Sequence, residues 1–560
     1  MEDLDGRLVS RAEIARLAGV RRPAVSNWER RHPDTFPGPV PAGEGGTELF
    51  RAAEVADWLD RRVIPVNARG DGEPAGTTYG DRFRSGSEAT TVAPSKAVDA
   101  APLLRAVERL ASDEALLPRG SVPLPDRAEM LLALIYLCGS QPQVWSSLRK
   151  LADRTARGPE TADLRQVIAG GLPTGLSPST VQSWQGREQA LADAVRLIDA
   201  HAAEDLGQYV RAFDLLVKRY TEEWAGRAGS ELFTPVSVAR AAAALVTPAV
   251  DATEAHDPFC RAGEMLTAVV DAWTATGSAG STRVSGAGLP EFPLRLARMG
   301  LGLRGHSSAD MKPGAAAPSA LTAPLGRKVG LLLANPPFNV RVAGSVRQSD
   351  HWRYGPPPSH NANFDWLQYA VDLLSPGGRA CLVMANIAAT SANRRERAIR
   401  SAMVEDGAVE CLVSLPPGLF FSTGIPVTLW ILSAPTGRCD EILFIDARAL
   451  GEMLSRSVRH LPDHEIAAVA REYHAWRDAR ATGTAYRGRA EFSRSASIGE
   501  IRGNGYALAP SLYVSPAPVE GGAPDHRARI GGLRDELARL HEEAARIDAA
   551  VESILRRHNA

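Results

Sequence analysis

Asn335, Pro336, Pro337 and Phe338 follow directly on the apolar run Val329-Gly330-Leu331-Leu332-Leu333-Ala334. A short apolar run that stops at two prolines reads as a buried strand ending in a rigid turn. Open α/β sheets hold their ligands at the carboxyl ends of such strands. The Asn335 carboxamide oxygen and the Pro336 carbonyl can both accept hydrogen bonds from an exocyclic NH2, and the Phe338 ring offers a face on which a base can stack. Methylation of adenine at N6 needs that set of groups. Asn and Pro are also common turn residues, so a turn that merely ends a strand is the alternative reading of the tetrapeptide alone.

The surrounding pattern supplies the elements that would position these groups. Glu231-Leu232-Phe233-Thr234-Pro235 precedes a helical stretch through Val238, Ala242 and Leu245, and the run from His256 to Glu264 opens another helix. Short apolar strands are expected at 284–287, 329–334, 379–385, 409–415, 427–432 and 442–445, separated by helical stretches. Alternation of this kind means a mostly parallel sheet with helices on both faces. A polar helix over 463–480 follows it.

In this context the chain resembles the N6-adenine DNA methylases of the type I restriction-modification kind, their methylation subunits. The matching stretches are ELFTP (231–235), DPFCRAGEML (257–266), LRLARMGLGLRG (294–305), LLLANPPF (331–338), HWRYGPPPSHNANFDWLQ (351–368), LLSPGGRA (373–380), LVSLPPGLFFSTGIPVTLWIL (412–432) and NGYALAPSLYV (504–514). They keep one consistent order over roughly residues 200–560. The resemblance implies a Rossmann-like sheet over 228–515 that binds S-adenosylmethionine at the carboxyl ends of its first strands. By motif, Phe233, Thr234 and Pro235 would line the methionine side, Asp257 and Gly263 the first strand-to-helix turn, and Asp310 the cofactor adenine. The catalytic group would be Asn335, Pro336, Pro337 and Phe338, holding an adenine flipped out of duplex DNA. No metal is implied.

Three positions depart from the family pattern. Arg261-Ala262-Gly263 stands where the family has a Gly-small-Gly turn, so Arg261 either points outward or crowds the cofactor. The run from Ser285 to Leu289 ends without the acidic residue expected for the ribose hydroxyls, with Glu291 three residues past Gly288; before the tetrapeptide an acidic-capable position reads Gly330. Two functions are therefore carried forward. One is a site-specific adenine N6-methyltransferase of a restriction-modification or related defence system, which the intact 335–338 favours. The alternative is a DNA-binding regulator that kept the fold and lost turnover, which Arg261 and Gly288 favour.

Outside this region, residues 1–66 read as a helix-turn-helix domain. Ser10-Arg11-Ala12-Glu13 is a capping box for a helix carrying Ile14, Leu17 and Ala18, and Pro23 begins a second helix through Arg31. Arg21, Arg22, Ser26, Asn27, Arg30 and Arg31 suit a major groove and its phosphates, and a helix through Val55, Trp58 and Leu59 completes a winged-helix-like pattern. A helical hairpin used only for packing fits the same residues. Residues 67–100 are rich in Gly, Ser, Thr and Pro and read as a flexible linker. Residues 101–227 are helical in spacing throughout, with nothing that suggests chemistry. In a final helix, 526–558, Ile530, Leu533, Leu537, Leu540, Ala544, Ile547, Val551 and Ile554 make a heptad seam. Such a seam docks either on the protein's own body or on a partner, a specificity subunit or a second copy.

The loop 352–366 contains Asn363, which the spacing places as a cap for the helix beginning at Phe364, with a substrate-facing role as the other reading. Arg394, Arg395, Arg397 and Arg400 form a basic run, read as a solvated helix face or as phosphate contacts. At 560 residues the chain needs several domains, and a formal net charge of −1 confines any nucleic-acid contact to local patches. Five widely spaced cysteines read as reduced core thiols of a cytoplasmic protein, and neither a leader nor a membrane span is expected.

Overall fold

The computed structural model describes residues 8–18, 20, 22–32, 35–40, 49–64, 76–88, 102–112, 122–155, 164–224, 233–248, 250, 252–277, 282–288, 291–307, 310–314, 328–341, 352–420, 426–453, 458–514, 531, 534–542 and 546. The chain divides into two units, residues 1–101 and 102–560.

In the first unit β1 (Leu8–Ser10) leads into α1 (Arg11–Leu17) and α2 (Arg22–Arg31), and β2 (Leu49–Arg51) pairs antiparallel with β1 before α3 (Ala52–Asp60). Ile14, Leu17, Val25, Phe50, Val55 and Trp58 form its core, as the helical spacing requires. A bidentate Arg11–Glu29 pair, at 2.9 and 2.7 Å, ties α1 to α2. The stretch expected as linker contains α4 (Tyr79–Glu88), whose Phe83 is fully buried in the same core. Thr78 and Asp81 cap this helix reciprocally: the Thr78 N–H donates to the Asp81 carboxylate (2.8 Å) and the Asp81 N–H to the Thr78 hydroxyl (3.0 Å). Polar composition concealed a helix that docks through two large residues, Phe83 and Tyr79, the latter with its ring centre 5.3 Å from that of Trp28.

The second unit begins with α5 (Pro102–Ser112), α6 (Leu124–Ser140), α7 (Pro142–Thr155), α8 (Leu164–Gly171), α9 (Pro178–Ser183), α10 (Glu188–Ala200) and α11 (Leu206–Trp224). Helix α6 is buried on nearly every side, as an apolar run without a polar face must be. Next come α12 (Val236–Val246), β3 (Glu254–Asp257), α13 (Glu264–Ala275), β4 (Arg283–Gly288), α14 (Glu291–Leu303), β5 (Met311–Pro313), β6 (Val329–Ala334), α15 (Asn363–Leu373), β7 (Leu374–Ala385), α16 (Ile387–Thr390), α17 (Arg394–Glu405), β8 (Val409–Ser414), β9 (Val427–Ser433) and β10 (Glu441–Asp446). A ribbon of β11 (Glu452–Met453) and β12 (Arg459–His460), then α18 (Asp463–Thr482), β13 (Ser493–Ser497) and α19 (Ile498–Gly503) complete it.

Nine strands form one sheet in the order β13-β10-β8-β9-β7-β6-β3-β4-β5. All neighbours are parallel except β9, antiparallel to both β7 and β8, and the edge strand β13. Alternate residues of β6 serve opposite faces: Leu331 and Leu333 belong to the core shared with α12 and α13, while Leu332 and Ala334 belong to the core shared with α15. Helix α14 is shared between layers, turning Leu294, Ala297 and Leu301 to the sheet and Leu296, Met299 and Leu303 to the helical domain. The six strands expected from apolar runs are present. Strand β3 has one apolar residue in four, β5 has three residues and β13 is polar, so hydrophobic patterning missed all three.

Cys260, Cys381 and Cys411 are buried. Among the described residues no helix is long and apolar enough to cross a membrane. Of the C-terminal heptad positions only Leu537 and Leu540 are described, and they are 54% and 47% exposed; Ile530, Leu533, Ala544, Ile547, Val551 and Ile554 lie outside the described residues.

Candidate active site

Strand order reverses between β3 and β6: the chain moves outward through β4 and β5, then returns to add β6 and β7 on the other side. Ala255 is level with Leu331 and His256 with Leu332, so the turns that leave these two strands are neighbours. A switch point of this kind is where open α/β sheets form their crevices.

Asn335 leaves β6 almost fully buried. Its carboxamide Nδ2 donates to the Thr234 hydroxyl at 3.1 Å, and its main-chain carbonyl accepts from Arg261 Nε at 3.0 Å. Its Oδ1 is buried and has no partner among the described residues. An orphaned buried acceptor costs stability, so its persistence between two constraints points to a donor supplied from elsewhere. Pro336 is buried and Pro337 half-buried. Phe338 packs edge-on against Phe420, ring centres 6.2 Å apart.

The turn after Phe338 is closed by a clasp. Asn339 adopts φ 56°, its N–H donates to Asn363 Oδ1 (3.1 Å), and Asn363 Nδ2 donates to Asn339 Oδ1 (2.9 Å). Asn363 is therefore not the cap its spacing suggested. It is the first residue of α15, its side chain turned to the tetrapeptide loop, while Asn361 Oδ1 accepts the Asn363 N–H (3.1 Å).

On the β3 side Asp257 Oδ1 accepts the Phe259 N–H at 2.9 Å, and burial pushes its carboxyl well up from the usual range. Gly263, at φ 90°, opens α13; a Cβ there would stand 2.9 Å from the Ala297 Cβ, so helix packing and backbone conformation both require glycine. A Cβ on Gly288 would lie 2.4 Å from the Cys260 carbonyl, so the end of β4 runs against the same loop. Arg261 points inward. It is 9% exposed, lies 5.6 Å from the Phe259 ring centre, and its bond to the Asn335 carbonyl joins the two turns. Glu264 accepts the Thr234 N–H at 3.1 Å, and burial pushes its carboxyl up to about 7 against the pull of helix N–H groups and Arg261. Two long-range contacts thus meet at Asn335, Thr234 on the carboxamide and Arg261 on the main chain, and Glu264 holds Thr234 in turn.

The remaining expected residues divide. Thr234 joins this group and Pro235 is buried as the cap of α12, whereas Phe233 is buried in the helical-domain core. Asp310 precedes β5, its carboxylate accepting from Arg283 Nε (2.8 Å) and Nη2 (2.5 Å); that ion pair competes with any contact to a ligand. Glu291 is the exposed first residue of α14. Arg22, Ser26 and Asn27 are on α2, Arg30 and Arg31 are exposed at its end, and Arg21 lies outside the described residues. Arg394, Arg395 and Arg397 are exposed on α17, but Arg400 is buried and donates to the carbonyls of Tyr506, Ala388 and Ser391 at 2.6–3.2 Å, so that member of the run is structural.

Beside the tetrapeptide, past the carboxyl end of β7, lies a cavity of about 540 Å³ lined by Asn339, His360, Asn361, Asn386, Ile387 and Glu396 among others. Glu396 Oε1 holds Asn361 Nδ2 (2.7 Å) and lies 3.1 Å from His360 Nε2. Glu264, Asn339, His360 and Glu396 had no role in the sequence reading; the only signal was their placement beside recognised motifs.

The profile of the N-6 DNA Methylase family matches residues 204–521. The HindI methylase subunit of a type I restriction enzyme from Haemophilus influenzae is 30% identical over 348 residues, covering 61% of this chain and 76% of that protein. The MjaIX methylase subunit from Methanocaldococcus jannaschii is 26% identical over 368 residues, covering 63% of each chain. The crystal structure of a type I restriction-modification methyltransferase subunit from Streptococcus thermophilus has the same fold, with a TM-score of 0.57 at 19% identity over 74% of this chain and 100% of its own. The chain belongs to the N-6 DNA methylases, enzymes that transfer a methyl group from S-adenosylmethionine to N6 of adenine in DNA.

Proposed function

We propose that this chain is the modification subunit of a type I restriction-modification system, and that Asn335, Pro336, Pro337 and Phe338 hold the flipped adenine. The observation that carries the reading is the Asn335 carboxamide, locked through Nδ2 while its buried Oδ1 has no partner. Oδ1 and the Pro336 carbonyl would accept the two N6 hydrogens, turning the nitrogen lone pair out of the base plane's conjugation and toward the donor. Phe338 would stack the base. Positioning then does most of the work, with no covalent intermediate.

The residues around the β3 turn fit S-adenosylmethionine. Asp257 and Glu264, near the Arg261 guanidinium, are two buried carboxyls whose oxygens can accept hydrogen bonds from a ligand's ammonium and hydroxyl groups. When bound, the cofactor supplies an electrophilic methyl group. Thr234, Pro235, Asp257 and Gly263 would hold it, with Asp310 reaching the adenine if it exchanges Arg283 for that ligand.

Duplex DNA would be held further through Arg21, Arg22, Ser26, Asn27, Arg30 and Arg31 of a helix-turn-helix unit. The apolar heptad seam of the last helix, exposed at Leu537 and Leu540, would receive a specificity subunit or a second copy. Asn335→Ala tests the central assignment: methyl incorporation into unmethylated DNA is expected to vanish while calorimetric binding of S-adenosylmethionine persists. Undiminished methylation would remove Asn335 from the reaction.

A further inference from the structure

A second cavity, of about 380 Å³, opens at the opposite end of the sheet, among the amino ends of β7, β8 and β10 and the last turns of α18. Its lining includes Arg379, Arg438, Arg477 and Arg480 with two carboxylates, Glu410 and Glu441. The carboxylates are already engaged. Glu410 accepts from Arg379 Nε (2.5 Å) and Nη2 (3.2 Å) and from the Tyr473 hydroxyl (2.8 Å), with Arg477 Nε 3.6 Å away. Glu441 accepts from Trp476 Nε1 at 2.7 Å.

The outer guanidiniums are held more loosely. Arg480 lies over the Trp476 ring, 4.9 Å from its centre, paired with a ring face rather than a carboxylate. Arg438 is 81% exposed and only within 3.9 Å of Asp440. Arg477 shares Glu410 with the better-placed Arg379. Three guanidiniums therefore line one concavity whose two carboxylates, Glu410 and Glu441, already accept from Arg379, Tyr473 and Trp476, and guanidiniums grouped in this way suit the oxygens of a phosphate. The volume exceeds that of bare phosphate and falls near the small end of ordinary ligand sites.

We propose that this cavity is a second binding site, separate from the methylation site, for a small phosphate ester, its phosphate held by Arg438, Arg477 and Arg480 while Arg379 and Glu410 brace the wall. Calorimetric titration of the full chain with ribose 5-phosphate and with inorganic phosphate, at constant ionic strength, tests it. Ribose 5-phosphate is expected to bind with a Kd below about 1 mM. The double variant Arg438→Ala/Arg480→Ala removes two exposed side chains and is expected to weaken that binding at least about tenfold, since charge-assisted bonds carry it. S-adenosylmethionine binding should be the same in both proteins. Absence of heat up to about 10 mM of either probe would overturn the proposal, as would equal binding by the variant. A loss confined to duplex DNA retention would also overturn it, because backbone phosphate would then be the occupant.

Discussion

Thr234→Val is the substitution that tests how the site is held. The side chain keeps its shape and loses the hydroxyl that accepts Asn335 Nδ2 at 3.1 Å, between two residues that are 3% and 1% exposed. A buried amide left without its partner costs about 1–3 kcal/mol. The free carboxamide could regain part of that by rotating, and rotation would present NH2 instead of Oδ1 to the adenine amine. If the whole cost falls on the productive arrangement, kcat drops by roughly 5- to 150-fold. S-adenosylmethionine affinity should move less than about threefold, because the Thr234 main chain and its bond to Glu264 are untouched. Thr234→Ser restores the hydroxyl and should recover kcat to within about threefold of the parent. The assay is initial-rate incorporation of labelled methyl groups into unmethylated DNA, paired with calorimetric cofactor titration. A Val variant within about twofold of the parent in kcat, or a Ser variant no better than Val, would refute Thr234 as the group that positions Asn335.

Other outcomes follow from the same geometry. Glu264 is pushed up to about 7 by burial, so its proton is bound more tightly in the fold than in the unfolded chain; its stabilising contribution is complete below the ordinary glutamate range and is lost as pH rises through about 7. That loss is on the order of 3 kcal/mol, and Glu264→Gln should flatten it: denaturant unfolding between about pH 5 and about pH 8 that is parallel in the two proteins would contradict the assignment. Asn363→Ala opens the clasp on Asn339 and should cost about 1–2 kcal/mol in urea unfolding together with a lower methylation rate; a fall in stability with full activity would limit Asn363 to folding. Arg30→Ala/Arg31→Ala should weaken duplex binding and flatten its log–log salt dependence by about 2, whereas an unchanged slope would confine α2 to packing.

The agreement between pattern and fold is uneven for a physical reason. Strand β6 was expected at 329–334 and spans Val329–Ala334, because a fully buried strand must be apolar at every position and two prolines must end it. Helices α1, α2, α3 and α18 were similarly visible from caps and spacing. Strand β3 was invisible to hydrophobicity because both its buried polar residues find partners: His256 Nδ1 lies 2.9 Å from Ser285 Oγ across the sheet and Asp257 Oδ1 accepts the Phe259 N–H, and a single residue string does not reveal such partners. Helix α4 was missed because its docking rests on Phe83 and on Arg84 pairing with Asp57 and Asp60, contacts that composition averages away.

The same division runs through the site. Residue types and motif order singled out the turns after β6 and β3 and the methyl-transfer chemistry, since those signals sit within a few neighbouring residues. How the turns lock together was not contained in any local stretch. Thr234 meets Asn335 across 101 positions and Arg261 meets it across 74, contacts that exist because parallel crossovers seat β3 beside β6 and bring both carboxyl ends to one edge. Arg261, ambiguous in the chain as either an outward cation or an obstruction, acquires its role as a brace only there, where a carbonyl at the end of a neighbouring strand comes within hydrogen-bonding reach.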